Sequence, residues 1–399
     1  MKKALATSAL GLVALGAHAQ SSVTLYGIVD TGIGYQSSQT SLGSTSGGRS
    51  VVKMVNGIWA GSRFGLKGGE DLGGGTKAIF QLEEGFNSAT GAQSVTGLAF
   101  NRQAYVGVTN ASYGTFTAGR QYTSYYTLLA PYSPTNWLTG AYGAHPGDID
   151  SLDTLYRANN SLVYTSPSMY GLTVSGSYSL GGVAGSTNAG STWSAAVQYL
   201  NGPFGIAAGF QRINNSTPGG GAWGPDSTTS NAGAQAGVSG INNGYQTNQA
   251  QQRVAVTGGY TFNAQWDVSV SYSNVQYIPG VNSKFRNQAT FNTGGAVLHF
   301  KPVPVLDLAA GYSYTRATES NGITSAASYQ QFNLSQYYSL SKRTGLYALE
   351  AYQRANGNTI GTNGTSIINA TADIGDGQNG QPSSSRSQFA AGVGIIHRF

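Results

Sequence analysis

The chain contains no cysteine and very little charge: 15 acidic and 21 basic residues among 399, or 9% of the sequence. The first absence excludes a disulfide framework, a cysteine-ligated zinc site and a thiol nucleophile. The second sets the chain apart from ordinary soluble domains, in which about a quarter of the residues are charged. Long apolar runs are missing too. Gly, Asn, Ser and Thr interrupt every hydrophobic stretch well before the ~18–20 residues that a membrane-spanning helix needs. What is present is glycine, 58 residues, and tyrosine, 25 residues, with aromatics at 11%. A chain so rich in aromatic rings has surface to bury and is not simply disordered.

The first residues read as a targeting segment. Lys2 and Lys3 precede an apolar run over 4–16, and Ala17-His18-Ala19 has the small-x-small pattern of a cleavage site. The run is too short to cross a bilayer as a helix. The expected organisation is a cleaved signal peptide at 1–19 and a single domain at 20–399. The mature chain is exported and only mildly basic, and nothing in it points to nucleic acid.

Beyond the leader the recurring pattern is a two-residue alternation, the period at which strand side chains change faces. Leu172, Val174, Tyr178 and Leu180 alternate with Thr173, Ser175, Ser177 and Ser179. Trp266, Val268, Val270 and Tyr272 alternate with Asp267, Ser269, Ser271 and Ser273. These segments match the ~9–11 residues of a tilted membrane-crossing strand rather than the ~5–6 of an average soluble one. Aromatics near their ends, such as Tyr26, Tyr35, Trp266 and Tyr277, suit an interfacial girdle. In lipid only a closed barrel pairs every strand edge. Sixteen such segments can be marked, from 22–36 to 386–399. Tight connections (71–74, 203–204, 342–343) contrast with long ones (214–250, 357–385) rich in Gly, Asn, Ser and Thr, read as solvated outer loops. The expected fold is all-β: a 16-stranded antiparallel transmembrane β-barrel in the cell outer membrane.

Four blocks carry a resemblance: SSVTLYGIVDTGIGY at 21–35, SRFGLKGGEDLGGGTKAIFQLEEGF at 62–86, NRQAYVGVTNASYGTFTAGRQY at 101–122 and the closing GVGIIHRF. They resemble the general diffusion porins of Gram-negative bacteria, of the neisserial and β-proteobacterial type. The resemblance implies a homotrimer whose third loop folds into the lumen. It also implies passive passage of small hydrophilic solutes and ions, and a setting of lipid bilayer and lipopolysaccharide. Phe399 ends an alternating stripe with Phe389, Ala391, Val393, Ile395 and His397, and resembles the signal read by the outer-membrane barrel assembly machinery.

The inward loop is expected at 127–159. It is far longer than a hairpin connection, contains Leu128, Leu129, Trp137 and Leu138, and places Asp148, Asp150 and Asp153 close together. The resemblance implies that these acids face a basic strip of Arg63, Arg102, Arg120 and Arg157. Alternation independently turns two of the four inward: lipid-facing Phe64 and Leu66 put Arg63 inside, and Leu162 and Tyr164 do the same for Arg157. It is silent on Arg102, which shares a face with Ala104 and Val106, and on Arg120, which shares one with Phe116 and Ala118. Three or four arginines against the loop carboxylates imply a weak preference for anions. A competing role for the cations is to pair with acids and hold the loop.

Enzyme readings find little support. His145, His299 and His397 have no metal-ligand spacing. Gly73 to Lys77 lacks the spacing of a phosphate loop, and adjacent Glu83 and Glu84 point to opposite faces of a strand. Asp373, Asp376 and Asn379 read as an ordinary outer loop rather than a calcium site. No enzyme activity and no cofactor or metal are expected. The rival functions are a substrate-specific channel and a barrel displaying adhesive surface loops.

Overall fold

The computed structural model describes residues 22–153, 156–224, 228, 237–376 and 382–399. The leader expected at 1–19 and residue Asn379 lie outside the described residues. The strands are β1 (Ser22–Gln39), β2 (Arg49–Asn56), β3 (Arg63–Gly73), β4 (Thr76–Gly85), β5 (Gln103–Asn110), β6 (Gly114–Gln121), β7 (Ala158–Thr165) and β8 (Leu172–Ser179). They continue with β9 (Thr192–Asn201), β10 (Phe204–Asn214), β11 (Ala250–Thr261), β12 (Trp266–Ile278), β13 (Ala289–Val303), β14 (Leu306–Ala317), β15 (Ser328–Ser339) and β16 (Thr344–Asn356). A short hairpin, β17 (Asn358–Ile360) and β18 (Ile367–Asn369), precedes the last wall strand, β19 (Ser387–Arg398).

Each wall strand pairs antiparallel with its neighbours, and β1 closes on β19 from Ile28↔Arg398 to Gln36↔Ala390. β2 and β3 both pair with β1, one beside its second half and one beside its first, so they share a single place in the wall. The result is a closed barrel of sixteen strand positions. At the seam the Phe399 and Gly27 backbones exchange hydrogen bonds, 3.1 Å each way.

The barrel is apolar outside and hydroxylated inside. Val270 and Tyr272 are 54% and 52% exposed, whereas Ser271 and Ser273 are 9% and 0% exposed. Outward side chains meet lipid tails as apolar as themselves. The closed ladder of backbone hydrogen bonds is what a bilayer demands. A conventional core forms only where connections fold into the lumen.

The largest of these insertions lies between β6 and β7. It carries α1 (Ser124–Leu129), α2 (Thr135–Leu138) and α3 (Gly140–Gly143). The chain leaves the wall at Gln121, earlier than the expected 127, because Thr123 opens a helical turn that accepts from the Thr127 amide at 3.1 Å. Tyr125, Leu128, Leu129 and Leu152 then pack on Ala196, Ala207 and Ala255 of β9–β11. Glycines on the inward face of the wall receive the rest. A Cβ at Gly205 would collide with the Tyr132 hydroxyl, one at Gly311 with Leu138 and one at Gly295 with His145.

The outer loops depart from expectation. Among the described residues of 214–250 and 357–385, Ile241, Tyr245, Ile360 and Ala370 are buried with Tyr277, Phe291 and Tyr329 in one apolar cluster inside the barrel mouth. Asp373 and Asp376 are buried as well. The described parts of these connections therefore fold largely inward rather than standing as solvated outer loops. Their scattered apolar side chains find inward-facing aromatics, and they fill the β11–β16 side of the lumen.

Candidate functional site

One irregularity in the wall prepares the site. Between β2 and β3 the ladder breaks over residues 57–62, and Asp30 of β1 holds the break. Its carboxylate accepts from the amides of Trp59 (2.8 Å) and Ala60 (2.6 Å), and its own amide donates to Ser62 Oγ (3.0 Å). The bulge turns Trp59 into the lumen and delivers Arg63 at the head of β3.

The four arginines stand on neighbouring strands, β3 to β7, around the inside of that wall. All four line a cavity of about 830 Å³. Arg63 begins β3, Arg102 immediately precedes β5, Arg120 lies in β6 and Arg157 immediately precedes β7. Arg102 escapes the strict alternation because β5 begins only at Gln103. Arg120 escapes it through a register shift between Gly119 and Gln121. Those two features explain why alternation said nothing about them.

Glu83 and two tyrosines tie the row together. Arg102 Nε donates to Glu83 Oε1 at 2.7 Å, and Arg63 Nε lies 3.8 Å from Glu83 Oε2. The Tyr26 hydroxyl donates to the same carboxylate at 2.9 Å. Arg102 and Arg157 both donate to the Tyr122 hydroxyl, at 3.1 and 2.9 Å, and Arg157 also lies 4.8 Å from the centre of the Tyr122 ring. Burial pushes the Tyr122 phenol up, but Arg157 and Arg102 outweigh it and bring the group below its ordinary value. Arg120 donates to the Asn101 carbonyl at 2.7 Å and to Asn159 Oδ1.

The three loop acids separate. Asp153 lines the cavity, together with Asp376 from the last long connection and Lys53 from β2. Asp148 and Asp150 are buried and do not line it, Asp150 lying against Ser273 of the far wall. Asp150 Oδ2 lies 2.6 Å from His145 Nδ1 and accepts from Ser273 Oγ at 2.6 Å. Asp148 Oδ1 accepts from the Asp153 amide at 2.9 Å. Burial, with the carboxylates of Asp153 and Asp150, pushes Asp148 well above the usual range. Burial also works to raise Asp150, but His145 and the hydrogen bonds it receives hold it below that range.

Sequence reasoning missed Glu83, Tyr122, Lys53 and Asp376. For Glu83 a signal existed: the tight turn after Asp71 sets a hairpin in which Gly65 faces Glu83 and Arg63 faces Gly85. Glu83 and Glu84 do lie on opposite faces, since Glu84 pairs across from lipid-exposed Phe64. Among the described residues no group of three or more His, Asp or Glu side chains could hold a metal ion.

A closed sixteen-position barrel with apolar outer strands, an inserted loop and a cavity lined by charged side chains defines a transmembrane β-barrel. Residues 6–358 match the Gram-negative porin family, and the chain belongs to that family. It is 35% identical to an outer membrane porin protein of Bordetella pertussis over 239 residues, 54% of this chain and 60% of that protein. It is 34% identical to the major outer membrane protein P.IB of Neisseria gonorrhoeae over 225 residues, 54% of this chain and 59% of that one. The aligned region thus spans about 60% of the length of these curated relatives. Among solved structures, an anion-selective porin from Comamonas acidovorans superposes with a TM-score of 0.67 at 23% identity, covering 95% of this chain and all of the other. OmpT of Vibrio cholerae superposes with a TM-score of 0.60 at 15% identity, covering 95% and 98%. At these identities the likeness is one of fold. The chain's place is the outer membrane.

Proposed function

We propose that this barrel is a passive diffusion channel for small hydrophilic solutes and ions, with a weak preference for anions. The observation that carries the reading is the charge balance around the 830 Å³ cavity. Four arginines and Lys53 line it against Asp153 and Asp376, while Glu83 stands behind and is engaged by Arg63 and Arg102. Cations on one side and carboxylates on the other set up a transverse field across a narrow aqueous path. Polar solutes align in such a field. Apolar ones must displace oriented water. Excess positive charge at the narrow part favours anions, and the selectivity stated for the Comamonas protein agrees.

In this reading Arg63, Arg102, Arg120, Arg157 and Asp153 form the constriction, with Asp148 and Asp150 supporting the loop from behind. No catalytic role is assigned. Residues 1–19 act as a cleaved signal peptide and 20–399 as the barrel. Phe399 is the assembly signal, and the working unit is a homotrimer surrounded by lipopolysaccharide. Family membership supports these assignments. The test is conductance of the refolded protein in a planar bilayer, with the reversal potential taken across a potassium chloride gradient. Stepwise openings in triplets with an anion-sign potential are the expected result. A cation-sign potential overturns the selectivity. Silence from a folded barrel favours a display role for the surface loops.

A further inference from the structure

A second cavity, about 660 Å³, opens at the tight-turn end of the barrel, beneath the inserted loop. Trp59, Trp137, Tyr337, Lys342, Arg398 and Asp307 are among its walls, and Trp59 also lines the arginine cavity, so the two spaces adjoin. Two of the chain's five tryptophans therefore leave the lipid interface, where indoles of a membrane barrel are most at home, and turn into the interior cavities.

Both are held in fixed orientations. Trp59 packs on Tyr337 and Tyr347 at ring-centre distances of 4.6 and 5.7 Å, with its backbone secured by Asp30. Trp137 stacks flat on His299, 3.5 Å between centres and 5° between planes, and its indole N–H donates to Asp267 at 3.0 Å. The charges beside these rings are unbalanced. Asp307 is bound by Lys301 at 2.7 and 2.9 Å and lies 3.0 Å from His299 Nε2. Arg398 acts on the Asp30 carboxylate behind Trp59 but forms no ion pair with it, Lys342 forms none among the described residues, and Arg398 is oriented by its 3.0 Å donation to the Tyr337 hydroxyl.

Flat apolar walls beside cations match a solute with a planar ring and one negative charge. We infer that the tight-turn mouth holds a second solute subsite, which takes small aromatic carboxylates after they pass the arginine row. The inference rests on the channel reading and adds a chemical class to it. An inorganic anion would gain nothing from the rings. A neutral sugar would leave the cations unused.

The test is single-channel current through the full-length protein in a planar bilayer, with benzoate, acetate or glucose added on the side of the tight turns. Benzoate is expected to reduce the current at concentrations about tenfold below those needed for acetate, as one well-placed ring contact allows. Trp59→Leu should abolish that difference, and Arg398→Gln should reduce it severalfold. Trp193→Leu, on the lipid face against Phe210, should leave it intact. If benzoate and acetate act alike in a channel that conducts chloride, the inference falls and the channel reading stands. The inference also falls if glucose blocks at lower concentration than benzoate, or if both folded site variants keep the wild-type difference. A folded barrel that conducts nothing overturns both.

Discussion

The β3–β7 wall and the β9–β16 wall of this barrel face the same lumen, yet they treat it in opposite ways. The first bears long charged side chains that line an open cavity, namely Arg63, Arg102, Arg120 and Arg157. The second bears glycine, alanine and serine beneath the inserted loop and, nearer the mouth, Tyr277, Phe291 and Tyr329 beneath the outer connections, and its space is filled. Both walls obey the same alternation, with apolar side chains outside. The difference lies in what meets the inward face: on the β9–β16 side small residues seat the inserted loop, aromatics of β12, β13 and β15 pack the outer connections and buried Arg253 donates to the Ile149 carbonyl, whereas the β3–β7 arginines line a cavity.

The sharpest way to break the comparison is to remove a charge from the open wall. Arg102→Gln leaves the buried Glu83 carboxylate with Arg63, 3.8 Å away, as its ion-pair partner. A loss of about 3 kcal/mol is expected, read as a lower urea midpoint, together with a reversal potential shifted toward cations. The double change Glu83→Gln with Arg102→Gln should recover most of the stability but not the selectivity. An unchanged midpoint in the single variant would count against the Glu83–Arg102 pairing.

The closed wall is attacked by adding bulk. Gly311→Val places a side chain where Leu138 now sits, at a cost of about 1–3 kcal/mol. The loop must move toward the open side, so single-channel conductance should fall and open-state noise rise while the sign of the reversal potential is kept. Equal conductance in wild type and variant would show that the loop is not seated by that glycine.

A smaller effect belongs to the mouth. Burial raises the Asp373 carboxyl from 3.8 to about 7, so the folded mouth binds a proton more tightly than the unfolded chain does. Its contribution to loop packing is fully present below pH ~4 and is lost as pH rises through about 7. Hydrogen exchange of amides in 370–376 should accelerate between pH 5 and 8, after correction for intrinsic rates. Asp373→Asn should flatten that dependence. The smallest expected change is a weakening of anion preference as potassium chloride rises from 0.1 to 1 M, where the screening length falls from about 10 to about 3 Å.

Much of this was legible in the sequence because lipid imposes one simple rule on every wall strand. The alternation located the strands, gave sixteen positions and turned Arg63 inward; Arg157 also lines the lumen, but it precedes β7 across the β6–β7 register shift, so counting from Leu162 does not account for it. It failed where the ladder itself is irregular. Arg102 lies just ahead of a strand and Arg120 lies at a register shift, so counting residues in twos cannot orient either. The filled mouth was hidden for another reason. Ile241, Tyr245, Ile360 and Ala370 are spread among Gly, Asn, Ser and Thr, and only the fold shows that they converge on aromatics from β12, β13 and β15. Likewise, three clustered aspartates looked equivalent, yet His145 and Ser273 draw Asp150 into the far wall and leave Asp153 at the water's edge.

The glycines beneath Tyr132, Leu138 and His145 work as a set of keyed recesses. The bore of the channel is thus cut from its far side: how deeply the insert sinks into those recesses decides how much of the cross-section remains. Width and charge are then separate controls. Substitutions at the recesses can tune what size of solute passes without altering a single residue of the arginine row.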